Sequence, residues 1–358
     1  RYAVLFSVKG AREFTLAGLA VRREAEGLIN PWIYSKTTQY LPPGFLRYLL
    51  VGEYGVITMG LTLALGVVLP IVAFFFLFFA LLEDSGYLAR LTVLADRLFK
   101  VMGLNGRAAV PMVLGLGCDT MATLAARVLE SRRARLVVTF LLALGVPCSA
   151  QLGVVMSMAS AIGPMALLLI FGLVLVELFA AGYVVSRIVG NTRTDFVVEI
   201  PLLRLPTVAN VLRKTWQRSE WFLREALPYF LLGTGILAVF SWVGILGLLE
   251  RLFRPVVVHW LSLPPEATYA FLIGFVRRDY GAAGLFDLRY DGRLDNLQTV
   301  VALITMTLFV PCIANFLVMI KEQGLKRAVA MVAAIIPLAV LTGGAVNWVL
   351  RALGVNLG

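Results

Sequence analysis

Apolar runs of about twenty residues recur along the chain, separated by short polar breaks rich in Lys and Arg. As a helix, a run of that length rises about 30 Å, the thickness of a bilayer's hydrocarbon core. The pattern predicts spans near 56–82, 108–130, 136–158, 165–189, 226–249, 267–285, 300–320 and 328–350. Several are interrupted: Pro70, Pro147 and Pro311 fall inside apolar runs, Gly115 and Gly117 flank a single leucine, and Arg277-Arg278-Asp279 splits 267–285. The pattern predicts an all-α, polytopic helical membrane protein of about eight transmembrane segments, in two internal repeats with broken or re-entrant helices. If 108–130 and 267–285 cross fully, the repeats are parallel; if they are re-entrant, each half crosses three times and the repeats are inverted. We read eight crossings, with both termini on the cytoplasmic side.

Composition agrees. The 358 residues are 60% hydrophobic and 15% charged, against roughly 45–50% and about a quarter in soluble domains. The net charge of +11 sits in short loops, as expected for the positive-inside bias, and no basic stripe interleaved with aromatics points to nucleic acid. Three cysteines make no closed disulfide framework. Phosphate loop, serine elbow and His-Glu-x-x-His signatures are absent from the sequence, so no familiar enzymatic route is encoded.

Residues 1–50 read as an interfacial helix or linker remnant, with apolar positions at helical spacing from Leu16 to Leu28 and Trp32, Tyr34, Tyr40 and Tyr48 suited to the headgroup level. Residues 51–189 form repeat 1, 190–224 a basic cytoplasmic linker and 225–358 repeat 2. The repeat is clearest where Val146-Pro147-Cys148-Ser149-Ala150-Gln151 matches Val310-Pro311-Cys312-Ile313-Ala314-Asn315. A weaker match sets Leu104–Leu116 against Leu263–Phe275. Corresponding breaks in two halves point to a transporter's substrate site.

Pro147 and Pro311 each remove a backbone donor, so carbonyls near 143 and 307 lose their helical partners. Cys148 and Gln151, and likewise Cys312 and Asn315, are three residues apart and share a helical face. Cys118 and Asp119 follow the Gly115/Gly117 pair, and Asp279 is the acidic residue of the second half. Sulfur mixed with oxygen suits Fe(II), Zn(II), Co(II) or Cu(I) better than alkali or hard divalent ions. Each cysteine alone also fits plain packing, Asp119 has Arg127 as a candidate partner, and Glu83 and Asp84 end a span as gating or structural residues. His259, beside Trp260, reads as a non-ligand.

Glu83-Asp-Ser-Gly-Tyr87, Gly103-Leu-Asn-Gly-Arg107, Pro111-Met-Val-Leu-Gly-Leu-Gly-Cys-Asp-Thr-Met-Ala122, Pro147-Cys-Ser-Ala-Gln151, Gly274-Phe-Val-Arg-Arg-Asp-Tyr-Gly-Ala-Ala-Gly284 and Pro311-Cys-Ile-Ala-Asn315 together resemble the membrane domain of the ferrous iron transport protein B family (FeoB). The resemblance runs from about Gly52 to the C-terminus. It implies two gate-type repeats and Fe²⁺ uptake across the bacterial cytoplasmic (inner) membrane, with Cys118, Cys148 and Cys312 on the metal path. Family members carry an N-terminal GTP-binding domain with no counterpart in these residues. GTP would therefore act only through that domain, and a GTPase, a small regulatory protein and a homo-oligomeric state are the partners implied beside the bilayer. Two rival readings are a gate-type transporter of nucleosides or other small solutes, and a membrane scaffold docking a separate GTPase.

Overall fold

A computed structural model describes residues 45–51, 55–61, 64, 68–190, 205–309 and 311–354. Among them every regular element is helical. The interfacial segment expected over 1–50 lies outside the described residues apart from its last few, as does the 191–204 part of the basic linker.

In chain order the elements are α1 (Phe45–Val51), a π turn (Val56–Leu61), α2 (Leu69–Asp84) and α3 (Tyr87–Val101). Next come the short pair α4 (Ala109–Gly115) and α5 (Asp119–Ala125), then α6 (Arg132–Gly145), α7 (Ser149–Ile162) and α8 (Pro164–Val189). The second half holds α9 (Val208–Val243), α10 (Ile245–Pro255), a π turn (Val256–Trp260), the pair α11 (Glu266–Val276) and α12 (Arg278–Tyr290), then α13 (Asn296–Leu308), α14 (Ile313–Gln323) and α15 (Leu325–Ala352). From Val208 onward the polar stretch before the fifth span is already helix, continuous with that span.

By length and composition, five helical stretches of the described residues can cross a bilayer: Arg132–Ile162, Pro164–Val189, Val208–Val243, Asn296–Gln323 and Leu325–Ala352. Leu69–Asp84 with Tyr87–Val101, bent by 85°, makes a sixth if it is one span. The expected count of eight is corrected by the segments at 108–130 and 267–285. Each is a pair of short helices, and seven residues of α4 rise only about 10 Å, a third of the hydrocarbon core. With the bent pair counted as one span, three such stretches fall in each half, the count that accompanies inverted repeats.

The chain divides into two compact units, residues 1–80 with 208–248 and residues 81–207 with 249–358. In the first, Phe45 meets Trp242 edge to face at 4.9 Å, Tyr48 and Ser241 share a hydrogen bond of 3.0 Å, and Arg218 lies over the Phe79 ring. The second holds both hairpins and both Pro-Cys breaks, and its halves match at the level of backbone angles. The hairpin hinges are Cys118 (φ −155°, ψ 118°) and Arg277 (φ −147°, ψ 119°). The breaks are Cys148 (φ −71°, ψ 162°) and Cys312 (φ −60°, ψ 156°). Ser131 and Asp295 cap the helices that lead into the breaks, and Gly163 (φ 140°) and Gly324 (φ 86°) turn the chain into the final span of each half.

The second hairpin closes because two glycines let its helices touch. A Cβ on Gly281 would sit 2.6 Å from both the Ala270 carbonyl oxygen and Gly274 Cα and would collide with the Met306 side chain. Gly115 and Ala122 meet at the equivalent places in the first hairpin. Gly281→Ala is therefore expected to destabilise the protein by about 1–3 kcal/mol through forced backbone displacement. Gly172→Ala, on α8 with nothing within 4 Å of the added methyl, is the neutral control. Thermal unfolding of the detergent-solubilised protein, followed by tryptophan fluorescence, separates the two.

Candidate functional site

The interruptions expected from sequence are joined to one another. Gly117, in the first hinge, would carry an idle carbonyl; it accepts from the Ser149 amide (3.3 Å) and the Ser149 hydroxyl (3.0 Å), just past the first Pro-Cys break. Across the repeats, α5 packs on α14 and α12 on α7, so each hairpin's second helix lies against the other half's broken span. Thr123 Oγ1 donates to Asn315 Oδ1 at 2.9 Å, and Gln151 Nε2 donates to the Met306 carbonyl at 3.2 Å. This exchange sets the helix that begins at Asp119, just after Cys118, against the helix that begins just after Cys312. None of Cys118, Cys148 and Cys312 is in a disulfide, and each is partly exposed.

At the centre is Arg278, the first residue of α12, which is 3% exposed. Its Nη1 donates to Asp119 Oδ2 at 2.7 Å and to the Val146 carbonyl at 3.1 Å; its Nη2 donates to the carbonyls of Ala143 (2.8 Å) and Phe309 (3.3 Å). Ala143 stands four residues before Pro147, so its carbonyl is the one that proline strips of its helical donor. The expectation of a freed carbonyl there is met, and a guanidinium fills it. One planar, five-donor group is suited to several acceptors at once. Arg278 thereby ties the second hinge to the first and to the helix ends before both breaks.

Sequence reasoning missed this residue. It treated Arg277-Arg278-Asp279 as a source of an acidic ligand, whereas the hinge angles make Arg278 the counterpart of Asp119, 159 residues on. Opposite charges at equivalent positions of two repeats were the available signal. Asp279 has its backbone in α12, and its side chain lies outside the described residues. Asp119 pairs with Arg278, and Arg127 with Glu322. Glu83 and Asp84 stand at the 85° bend. Asp84 Oδ2 accepts from the Thr207 amide at 3.0 Å and so anchors the chain just ahead of α9. His259 is exposed in the second π turn.

Three of the atoms around this junction carry unmet hydrogen-bonding capacity. Among the described residues, Asp119 Oδ1 and Gln151 Oε1 are buried acceptors without a donor, and Asn315 Nδ2 is a buried donor without an acceptor. The Thr123 hydroxyl can donate or accept, so it can bond the Asn315 carboxamide in either orientation, one of which turns the amide oxygen away from it. Among the described residues no group of three or more His, Cys, Asp and Glu is placed to hold a metal ion. The arrangement is a succession of partial donor sets rather than a closed cage.

Removing one member of a buried, hydrogen-bonded ion pair strands its partner, so Arg278→Ala is expected to destabilise the fold by about 3–5 kcal/mol. The double variant Asp119→Asn with Arg278→Ala should lose less than the sum of the single losses, with a coupling on the order of 1 kcal/mol or more. Unfolding titrations of the four proteins in mixed micelles measure that coupling.

Comparison with known proteins agrees with this architecture. A family model described as nucleoside recognition, the Gate module, matches residues 65–162 and 223–326, one copy on each half. The model of the ferrous iron transport protein B C terminus matches 167–218. The Fe(2+) transporter FeoB of Staphylococcus aureus (strain COL) is 29% identical over 299 residues, covering 74% of this chain and 44% of the relative. The Fe(2+) transporter FeoB of Methanocaldococcus jannaschii is 28% identical over 302 residues, covering 72% and 44%. A Porphyromonas gingivalis protein named as a fusion of Fe(2+) transport protein A with Fe(2+) transporter FeoB is 32% identical over 222 residues, covering 59% and 25%. The chain spans less than half the length of these relatives. No solved structure gives a significant match. With a Gate module on each half and the ferrous iron transport protein B C-terminal signature between them, the chain belongs to the FeoB family, as a transmembrane region.

Proposed function

We propose that this chain carries ferrous iron across the bacterial cytoplasmic membrane, along the seam where the Gly-Cys-Asp hinge and the two Pro-Cys breaks converge. One observation carries the reading: the helix that begins at Asp119 packs on the helix that follows Cys312, and Asp119 Oδ1 and Gln151 Oε1 are buried acceptors lacking donors. Buried acceptors without donors are costly in a resting protein, and a visiting cation relieves that cost. Thiols beside oxygens favour Fe²⁺ over Na⁺, K⁺ or Mg²⁺. The names of the relatives, Fe(2+) transporters, support the same cargo.

Partial donor sets in succession suit passage, because an ion must bind well enough to enter each station and weakly enough to leave it. Cys148 with Gln151 supplies one station, Cys312 with Asn315 a second, and Cys118 with Asp119 a third; Asp279 is a further oxygen donor. Gly115 and Gly117, with Pro147 and Pro311, keep the stations on interrupted backbone that can change shape. In this scheme GTP acts through a domain outside these residues, and the fused Porphyromonas relative supports a small protein partner.

The description of the Gate module favours a second reading, a nucleoside or similar solute. Phe309 and Phe316 flank the second break, but they are engaged with Phe271 and Phe275 at 5.7 and 6.4 Å between ring centroids. The hinge groups themselves are thiols, a carboxylate and amides, which suit a cation better than a stacked base.

In proteoliposomes under anaerobic conditions, Fe²⁺ influx through the parent should exceed that of Mn²⁺. Changing both Cys148 and Cys312 to Ser should lower Fe²⁺ influx by about tenfold or more, as hard hydroxyls replace soft donors. Parent-like influx in the double variant defeats the sulfur-lined path. Uptake of labelled nucleoside with no metal flux decides for the second reading.

A further inference from the structure

The interaction that holds the four interruptions together is also the one that stands in the way of a cation. Arg278 occupies the oxygen-lined space between Asp119 Oδ2 and the carbonyls of Ala143, Val146 and Phe309. Those four oxygens come from the first hinge, the helix end before the first break and the helix end before the second. Arg278 itself comes from the second hinge. A carboxylate with several main-chain carbonyls is a donor set that a divalent cation also accepts. Here a side-chain cation has taken it.

We propose that Arg278 is a tethered counter-cation that latches the hinges closed, and that the entering divalent metal ion displaces its guanidinium from Asp119. This rests on the metal-path reading and adds its gate. Two cations cannot share one buried carboxylate without strong repulsion, so metal at Asp119 and guanidinium at Asp119 exclude each other. Once Arg278 leaves, the carbonyls of Ala143, Val146 and Phe309 lose its donors together. The hinges and breaks are then no longer cross-linked through it. Binding at one point thus weakens the ties among all four interrupted places, because one residue reaches each of them. The displacement also makes Arg278 a determinant of affinity: every metal ion that binds must first overcome the latch.

A merely structural arginine predicts the opposite sign from a latch when it is weakened, and that difference is the test. Arg278→Lys keeps a positive charge opposite Asp119 but replaces the five-donor fork with a single ammonium, so the carbonyls are held less completely. Co²⁺ binding to the purified full chain in detergent, followed by the absorption of cobalt bound to thiolate, supplies the readout. Arg278→Lys should bind Co²⁺ about tenfold more tightly than the parent, a typical coupling between linked events, and Arg278→Gln, where it remains monodisperse, more tightly still. Adding Asp119→Asn should remove the gain. Unchanged or weaker Co²⁺ binding by folded Arg278→Lys overturns the latch, even if the parent binds Co²⁺ and moves Fe²⁺. Absence of Co²⁺ binding by parent and variants alike overturns the metal-path reading and the displacement with it. A second readout needs no metal: methanethiosulfonate should modify Cys118 and Cys312 faster in Arg278→Lys, and equal rates in parent and variant count against a latch.

Discussion

A carboxylate and a guanidinium, both almost wholly buried, face each other at the junction of two repeats. Neither would be stable there alone, since desolvating a lone charge costs several kcal/mol. Each therefore fixes the other's position, and the hydrogen bonds of Arg278 to three carbonyls fix the helix ends as well. Interrupted helices are the weak points of a membrane fold, because every break exposes main-chain groups that lipid cannot satisfy. In this protein the breaks satisfy one another. Ser149 serves the Gly117 carbonyl, Arg278 serves Ala143 beneath Pro147, and Gln151 reaches the Met306 carbonyl of the opposite half.

Much of the architecture was legible because proline and paired glycines weaken a helix wherever they fall, so inside an apolar run they mark where the backbone breaks. Pro147 and Pro311 marked the breaks, their Cys-x-Ala-Gln/Asn sequels marked the repeat, and removal of one donor located the freed carbonyl at Ala143. The hairpins were legible only as the re-entrant alternative to a full crossing. An apolar run buried among protein helices has the same composition as one that crosses lipid, so hydropathy alone read 108–130 and 267–285 as spans. The discriminating feature was finer: Gly274 and Gly281, seven apart around an arginine hinge, where the backbones touch.

The junction of hinges and breaks was legible in its elements and misread in its pairing. Cys118, Asp119, Cys312 and Asn315 were singled out, and the exchange of packing between halves brings their helices together. Arg278 was passed over because the Arg277-Arg278-Asp279 run was read for its acid alone. Its actual partner lies 159 residues away, and only the repeat register could have pointed there. Taking the weaker match Leu104–Leu116 with Leu263–Phe275 one turn further would have set Asp119 against Arg278.

That register carries a further consequence for how two similar halves become one asymmetric machine. Strict repetition would place two carboxylates, or two arginines, at the hinge junction, and like charges buried together repel. Opposite charges at the equivalent position turn the repeat axis from a point of repulsion into a point of attraction. The same substitution makes the halves chemically unequal: one hinge bears a thiol and an acid, the other two arginines. A closed junction of this kind is nearly neutral and internally bonded, so it is stable without cargo. On the proposed path an incoming dication would meet an acid already engaged and carbonyls already capped, and would enter only by replacing what the protein supplies itself. Selectivity for ions that bind thiols would follow on that path, because oxygen ligands alone offer an ion little more than Arg278 already takes, whereas Cys118 and Cys312 would offer a soft metal something the guanidinium cannot use.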